Sequence, residues 1–304
     1  MANPILSICI PTKNRSAILE KALENISSDE IFVNTDKVEI VISDNCSDDN
    51  TQNICLKYKS MFPDKINYVR QEFDIQDKNF IEVLNYSKGK YIKLSNDKIT
   101  YKPNSIKKLV QFLENQESNI IFFTNKIDEN CEFNSKSFKN FNDFIQYVFY
   151  KITWIGGLCI KRESFENIKY KDRFSKLNFT QIDIMAQLSK EGVTVVDEEF
   201  MDVAKVEKYG GYNPAKVFGE NLITVLSILK DEKFLTKKVY NKLIKSILIN
   251  LINKYYFDYK KKYSFKRTGY FRYTYKYYWS KPYYYLCYTF MSIKYIIKNK
   301  DYHV

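Results

Sequence analysis

Between residues 5 and 124, short apolar runs alternate with amphipathic ones, and this alternation narrows the possible folds more than any other feature of the chain. The runs "ILSICIPT", "KVEIVISDN", "KINYVR", "KGKYIKLS" and "NIIFFT" have strand character. The stretches between them, such as "RSAILEKALENISS" and "PNSIKKLVQFLENQ", repeat apolar residues at helical spacing, as in Ile18, Leu19, Ala22, Leu23 and Ile26. Strand, helix and strand in succession require crossover connections. Those give a mostly parallel sheet flanked by helices on both faces. The chain is therefore predicted to be an α/β protein.

In such sheets ligands bind at the carboxyl ends of the strands. Three polar clusters fall there: Pro11–Arg15, Asp44–Asp49 and Ser95–Lys98. They are far apart in sequence, and the topology predicts that they meet at one edge. After residue 130 the pattern loosens. "TWIGGLCIKRESF" reads as a strand after a glycine turn, "FTQIDIMAQLSKEG" as a helix, and "VTVVDEEFMDVAK" as one or two strands. From residue 215 the sequence is helical, and no internal repeat is present.

Composition removes several classes of function. With 45% hydrophobic and 28% charged residues the 304-residue chain is globular, not disordered. Glycine is scarce at 8, and neither dinucleotide nor P-loop glycine motif occurs. The six cysteines (9, 46, 55, 131, 159 and 287) form no C-x-x-C pair and read as reduced thiols. His303 is the single histidine, so a mechanism through a core imidazole is excluded. A metal site must then use oxygen ligands, which favours Mg2+ or Mn2+ over zinc. No signal peptide and no membrane-spanning run is visible, so the expected location is cytoplasmic.

Charge is unevenly spread. From residue 254 to 304 there are 12 Lys and Arg against Asp258 and Asp301, a net of +10 out of +12 for the chain. The same segment holds 15 of the 26 tyrosines. Basic heads and aromatic rings suit an anionic membrane surface, stacking on single-stranded nucleic acid, or a helical bundle whose tyrosines pack on the main domain. The membrane surface is the preferred reading and nucleic acid the least favoured.

The segments "LSICIPTKNR", "EIVISDNCSDDNT" and "GKYIKLSNDK", in this order and spacing, resemble the family 2 glycosyltransferases of GT-A fold. The likeness is close over residues 5–125 and loose over 150–205. It implies a Rossmann-like GT-A domain over residues 1–210 followed by a helical, basic and aromatic region over 211–304. It also implies inverting transfer of a hexosyl or N-acetylhexosaminyl unit from a nucleotide diphosphate donor to a hydroxyl. Together with the tail, the resemblance suggests a polyprenyl-diphosphate-linked glycan acceptor at the inner face of a bacterial membrane.

The resemblance gives Asp44 the role of accepting a hydrogen bond from the donor base. A carboxylate there favours uracil, whose N3–H donates where cytosine only accepts; an Asx turn is the structural alternative. Pro11, Thr12 and Asn14 would shape the loop that meets the nucleotide, and Arg15 either reaches a phosphate or is solvated. Asp48 and Asp49 precede a helix, where N-capping is their expected task. The family usually has Asp-x-Asp where this chain has Ser95-Asn96-Asp97. Asp97 matches the metal-binding carboxylate. Ser95 replaces the first acid, with Ser95 and Asn96 placed against the nucleotide, and Lys98 is able to neutralise phosphate itself. Trp154, Gly156 and Gly157 resemble the loop that lines the sugar and acceptor sites, a tight turn with a core tryptophan being the other reading. The general base is expected at Asp183, with Asp172 as second choice. The alternative for Asp183 is the first turn of a helix capped by Thr180. The rival function is a basic nucleic-acid- or membrane-binding protein on a catalytically weakened GT-A scaffold.

Overall fold

The computed structural model describes residues 3–125, 135–204, 211–257 and 265–300, the side chains of 298–300 excepted. Cys131, Asp258, Asp301 and His303 lie outside the described residues, and the five described cysteines are free thiols. The chain divides into two compact units. The first comprises Met1–Phe144, Ile152–Ser175 and Thr180–Ala204; the second comprises Ile145–Lys151, Lys176–Phe179 and Lys205–Val304.

The strands of the first unit are β1 (Leu6–Thr12), β2 (Val38–Asp44), β3 (Ile66–Arg70), β4 (Tyr91–Leu94), β5 (Ile99–Tyr101), β6 (Ile120–Phe123), β7 (Ser135–Phe138), β8 (Leu158–Lys161), β9 (Val193–Val196) and β10 (Met201–Val203). Eight of them form one sheet in the order β3-β2-β1-β4-β8-β6-β9-β7, and β5 pairs with β10. β1, β2, β3 and β4 pair in parallel, as do β6 and β9. β8 and β7 run antiparallel to their neighbours. The fold is thus the mostly parallel α/β sheet predicted.

β8, the strand expected after the glycine turn, lies between β4 and β6 and runs antiparallel to both. "SNDKIT" was read as a site loop, and its last residues enter β5.

The helices of this part are α1 (Ser16–Ser27), α2 (Glu30–Asn34), α3 (Thr51–Met61), α4 (Asn79–Asn85), α5 (Ser105–Glu114), α7 (Arg162–Glu166) and α8 (Thr180–Leu188), while α6 (Phe141–Val148) is divided, its residues from Ile145 on belonging to the second unit. Every residue of β1 and β2 is buried, which is why those runs are apolar almost throughout rather than alternating. Leu6, Ile8, Ile10, Ile40 and Ile42 share one core cluster with Leu19, Leu23 and Ile26 of α1 and Ile106, Leu109 and Leu113 of α5.

The second unit is helical. A π-helical turn, Ala215–Asn221, leads into α9 (Leu222–Asp231). α10 (Lys237–Ile247) starts at Thr236, whose hydroxyl accepts the Val239 N–H, and continues through a π turn into α11 (Lys254–Tyr256). Then come α12 (Tyr270–Tyr278) and α13 (Pro282–Lys300). Part of the tyrosine-rich tail is core of this unit. Tyr270, Tyr278 and Tyr284 are buried. The Tyr278 hydroxyl donates to the Ile244 carbonyl at 2.8 Å, and the Tyr270 hydroxyl to Asn253 at 2.6 Å.

Leu109 is completely buried in the cluster between sheet and helix. Leu109→Ala is expected to cost about 2–5 kcal/mol of stability, measured by urea unfolding, without changing nucleotide affinity below the melting temperature.

Candidate active site

The parallel pairing of β1 with both β2 and β4 fixes the edge where the polar clusters gather. Thr12 lies opposite Asp44. Cys9 lies opposite Leu94, and the Ser95 N–H donates to the Cys9 carbonyl at 2.8 Å. At this edge a cleft of about 270 Å³ is lined by Pro11, Thr12, Lys13, Arg15, Asn45, Asp74, Gln76, Asp77, Asn79, Phe80 and Asp97.

Asp97 is the carboxylate on which two of the clusters close. It is 1% exposed, yet it contributes to the cleft wall. Arg15 Nη1 donates to its Oδ1 at 2.9 Å and Oδ2 at 3.3 Å, and Thr12 Oγ1 donates to Oδ2 at 3.2 Å. Burial pushes the Asp97 carboxyl above its ordinary value, while Arg15 pulls it down. Burial and the neighbouring Arg15 lower Lys98. Asn96 turns the chain here, its Oδ1 accepting the Lys98 N–H at 3.1 Å. Ser95 is buried, its side chain toward the Tyr101 hydroxyl.

Asp44 is completely buried and does not line the cleft. Its Oδ1 accepts the Ser47 N–H at 3.0 Å, and its Oδ2 accepts the Tyr68 hydroxyl at 3.1 Å and Arg70 Nη1 at 3.0 Å. The Asx contact and an ion pair therefore hold it together. Asn14, with φ of 51°, links two loops: its N–H donates to Ser47 Oγ at 2.9 Å and its Oδ1 accepts the Asp48 N–H at 2.7 Å. Asp49 accepts the N–H of Thr51 at 3.0 Å and of Ser16 at 2.9 Å, and so serves the first turns of both α3 and α1. Against the upward push of burial, hydrogen bonds from Thr51 and Ser16 hold the Asp49 carboxyl down at about 2.

The sequence reading missed the wall formed by residues 71–78. Asn45 Nδ2 donates to Asp74 Oδ1 at 2.7 Å, its Oδ1 accepts the Ile75 N–H at 2.8 Å, and Lys13 Nζ reaches Asp74 at 2.6 Å. The available signal was the acidic segment "QEFDIQDK" directly after β3. That is a fourth polar cluster at a strand's carboxyl end.

At the glycine loop, packing explains the glycines. A Cβ on Gly156 would lie 2.6 Å from Ile99 Cδ1 and 2.9 Å from the Trp154 ring; one on Gly157 would lie 2.7 Å from the Phe122 ring. Trp154 packs against the apolar core. The Gly156 carbonyl accepts from Lys93 Nζ at 2.5 Å. Lys93 is fully buried on β4 with its ammonium over Phe123, and burial brings it down to about 8.

Asp183 does not face the cleft. It is completely buried, gripped by Arg173 through Nε at 3.1 Å and through Nη2, and it accepts Gln187 Nε2 at 3.0 Å. α8 begins at Thr180, and Asp183 lies in its first turn, where it also holds the Arg173 ion pair. The second candidate, Asp172, has a half-exposed side chain 3.0 Å from Lys78, next to the cleft-lining Asp77.

Residues 7–180, more than half of the chain, match the sequence model of glycosyl transferase family 2. The chain belongs to glycosyl transferase family 2. Abequosyltransferase RfbV of Salmonella typhimurium is 30% identical over 129 residues, 42% of this chain and 38% of that protein. An uncharacterized glycosyltransferase, the MG060 homolog of Mycoplasma pneumoniae, is 27% identical over 124 residues, 39% of this chain and 40% of that protein. The matched regions thus span about two fifths of these relatives.

Among solved structures, the mannosyltransferase PcManGT of Pyrobaculum calidifontis, in complex with GDP-Man and Mn2+, superposes with a TM-score of 0.59 at 12% identity. The match covers 82% of this chain and 71% of that one. Residues 1–349 of S. aureus TarS with UDP give 0.58 at 15% identity over 88% and 74%. The same fragment with UDP-GlcNAc gives 0.56 at 14% over 80% and 71%. These likenesses show the GT-A fold.

For a family 2 enzyme the donor set at this edge is made of oxygens, the Asp97 carboxylate and the Thr12 hydroxyl hydrogen-bonded to it; Ser95 does not line the cleft, and its side chain lies toward the buried Tyr101. The set fits a hard cation that takes its other ligands from donor phosphates, provided Arg15 gives up its hold on Asp97. Among the described residues no group of three or more His, Cys, Asp or Glu is gathered as a metal cluster.

Lys93 generates a pH prediction. Burial brings its pKa down to about 8 in the folded chain, below the ordinary lysine value of about 10.5 that it has when unfolded. The unfolded state therefore binds more protons between these values, and stability rises with pH across that window. Thermal melts of wild type and Lys93→Met from pH 7 to 10 are expected to diverge in favour of wild type above pH 8.

Proposed function

We propose that this chain is an inverting glycosyltransferase that moves a sugar from a UDP-sugar to a hydroxyl of a lipid-linked glycan, such as a polyprenyl-diphosphate glycan, in bacterial surface polysaccharide or glycoconjugate synthesis. The observation that carries the reading is the meeting of Thr12, Arg15 and Asp97 in one cleft at the strand ends of a family 2 chain. The UDP and UDP-GlcNAc held by the TarS fragment support the donor class, and the abequosyltransferase relative supports a surface glycan. The basic tail supports work at an anionic membrane surface on the cytoplasmic side.

In this reading the acceptor hydroxyl gives its proton to a carboxylate and attacks the anomeric carbon opposite the departing nucleoside diphosphate, which inverts the configuration. The more open of the two candidate bases is Asp172; Asp183 serves this role only if Arg173 releases it. Pro11, Thr12 and Asn14 shape the nucleotide loop, and Ser95 and Asn96 border it. Asp44 meets the base when Arg70, whose side chain is 31% exposed, swings away. Arg15, Lys13 and Lys98 bring positive charge to the departing diphosphate. A divalent cation, Mn2+ or Mg2+, would be held by Asp97 and when bound supplies further positive charge there. Trp154, Gly156 and Gly157 form the sugar-side turn.

Calorimetric titration of UDP, CDP and GDP, each with Mn2+ and with EDTA, into wild type and Asp97→Ala tests the donor and metal readings. UDP-selective binding that weakens with EDTA and with the substitution is expected. Binding indifferent to both moves phosphate neutralisation to Arg15 and Lys98, and no nucleotide binding overturns the transferase reading.

The base is tested separately. Asp172→Asn is expected to lower kcat by about 10²-fold or more with little loss of stability. Arg173→Met, which leaves Asp183 buried and unpaired, is expected to cost about 3–5 kcal/mol in urea unfolding.

A further inference from the structure

We propose that the outer face of the α12–α13 hairpin is the surface on which the chain docks to a bilayer of anionic lipid, lying in its interface; this rests on the membrane-surface reading above and names the residues that carry it. α13 is apolar on both sides. Its inner side packs into the second unit: Tyr284 is completely buried, and Tyr288 meets Tyr270 at 4.9 Å and Phe271 at 4.6 Å between ring centroids. Its outer side bears Leu286, Phe290, Ile293 and Ile297 at helical spacing. Leu286 is 70% exposed and Phe290 66%, and the other two are more than half exposed. A helix that is apolar all round is ordinarily buried on every side, and here the outer side faces outward.

α12 carries exposed aromatic groups of its own. Trp279, just past its end, is 58% exposed, and the Tyr285 hydroxyl donates to its carbonyl at 2.9 Å, which ties the two helices together there. Exposed apolar groups gathered in this way mark an interaction surface.

Charge selects the occupant. Between Asp258 and Asp301 the sequence has no acidic residue, and residues 265–297 carry six Lys and Arg. Arg272 and Lys276 are exposed on α12, each one position on from the exposed Phe271 and Tyr275. A second copy docked by this face would bring two acid-free basic surfaces together. An anionic lipid surface instead takes the rings and aliphatic chains into its headgroup–acyl boundary and pairs the cations with phosphate. No described helix is long and apolar enough to cross, so α13 lies along the surface.

The test is flotation of the full chain with phosphatidylcholine vesicles, with and without about one third phosphatidylglycerol, for wild type, the double variant Phe290→Glu/Ile293→Glu, and Met61→Glu as an exposed apolar control outside the tail. Anionic vesicles are expected to bind about tenfold or more tightly than neutral ones. The double variant is expected to lose about tenfold or more, while Met61→Glu binds as wild type. Quenching of Trp279 fluorescence by brominated lipid is expected in wild type only.

Equal vesicle binding by wild type and the double variant overturns the proposal. So does a wild-type dimer, seen by light scattering, that the double variant dissolves without any vesicle binding. Nucleotide titration of the same proteins separates the two readings. Loss of UDP binding with vesicle binding intact removes the transferase reading and leaves the surface standing; the reverse removes the surface and leaves the enzyme.

Discussion

The site depends on β1 being hydrogen-bonded along both edges and buried on both faces. Its neighbours β2 and β4 run the same way in fixed register, so the three strands end together. A one-residue slip would turn every buried side chain to the wrong face, and that cost locks the register. A buried polar knot pins the opposite ends: Glu39 accepts from Ser7 Oγ and the Lys88 N–H, both at 2.6 Å, and from the Gly89 N–H at 3.2 Å. Gly89 is required there, since a Cβ would lie 2.6 Å from Ser7 Oγ. The knot sets where the strands start, and the cleft residues follow from where they stop.

The parallel part of the fold was legible because burial on both faces leaves a plain mark, a run of β-branched and aliphatic residues between helical repeats. The site was legible only as strand-end clusters. Sequence marks Asp44, Asp97 and Asp183 alike as acids at element ends. Structure separates them: Asp97 borders the cleft, Asp44 is enclosed with Arg70, and Asp183 is enclosed with Arg173. Which cation meets which carboxylate depends on contacts between residues 10 to 82 positions apart, and no periodicity encodes them. The wall at Asp74 escaped notice because its residues hold the site through Asn45, a partner 29 positions away. The placement of β8 escaped for a related reason, since its partners β4 and β6 are chosen by long-range pairing.

The tail illustrates how composition can point to two roles at once. Its tyrosines divide by helical phase. Those at 270, 278 and 284 fill the interior of the second unit with their hydroxyls hydrogen-bonded, whereas Tyr275 and Tyr285 stay exposed. Tyrosine suits both environments because its ring packs and its hydroxyl tolerates water. A count of aromatic residues alone cannot distinguish them.

The clasp made by Asn14, Ser47, Asp48 and Asp49 joins the loop after β1 to the loop after β2 through three polar contacts. Two loops that would otherwise wander separately behave as one stiff lip. Their conformational freedom is given up when the chain folds, not when a nucleotide arrives. Association should then resemble a key entering a ready-cut lock on this side, with what adjustment there is falling to the guanidinium groups of Arg15 and Arg70. Discrimination among ligands would accordingly be set by shape and by how readily those two side chains turn, rather than by the closing of a flap.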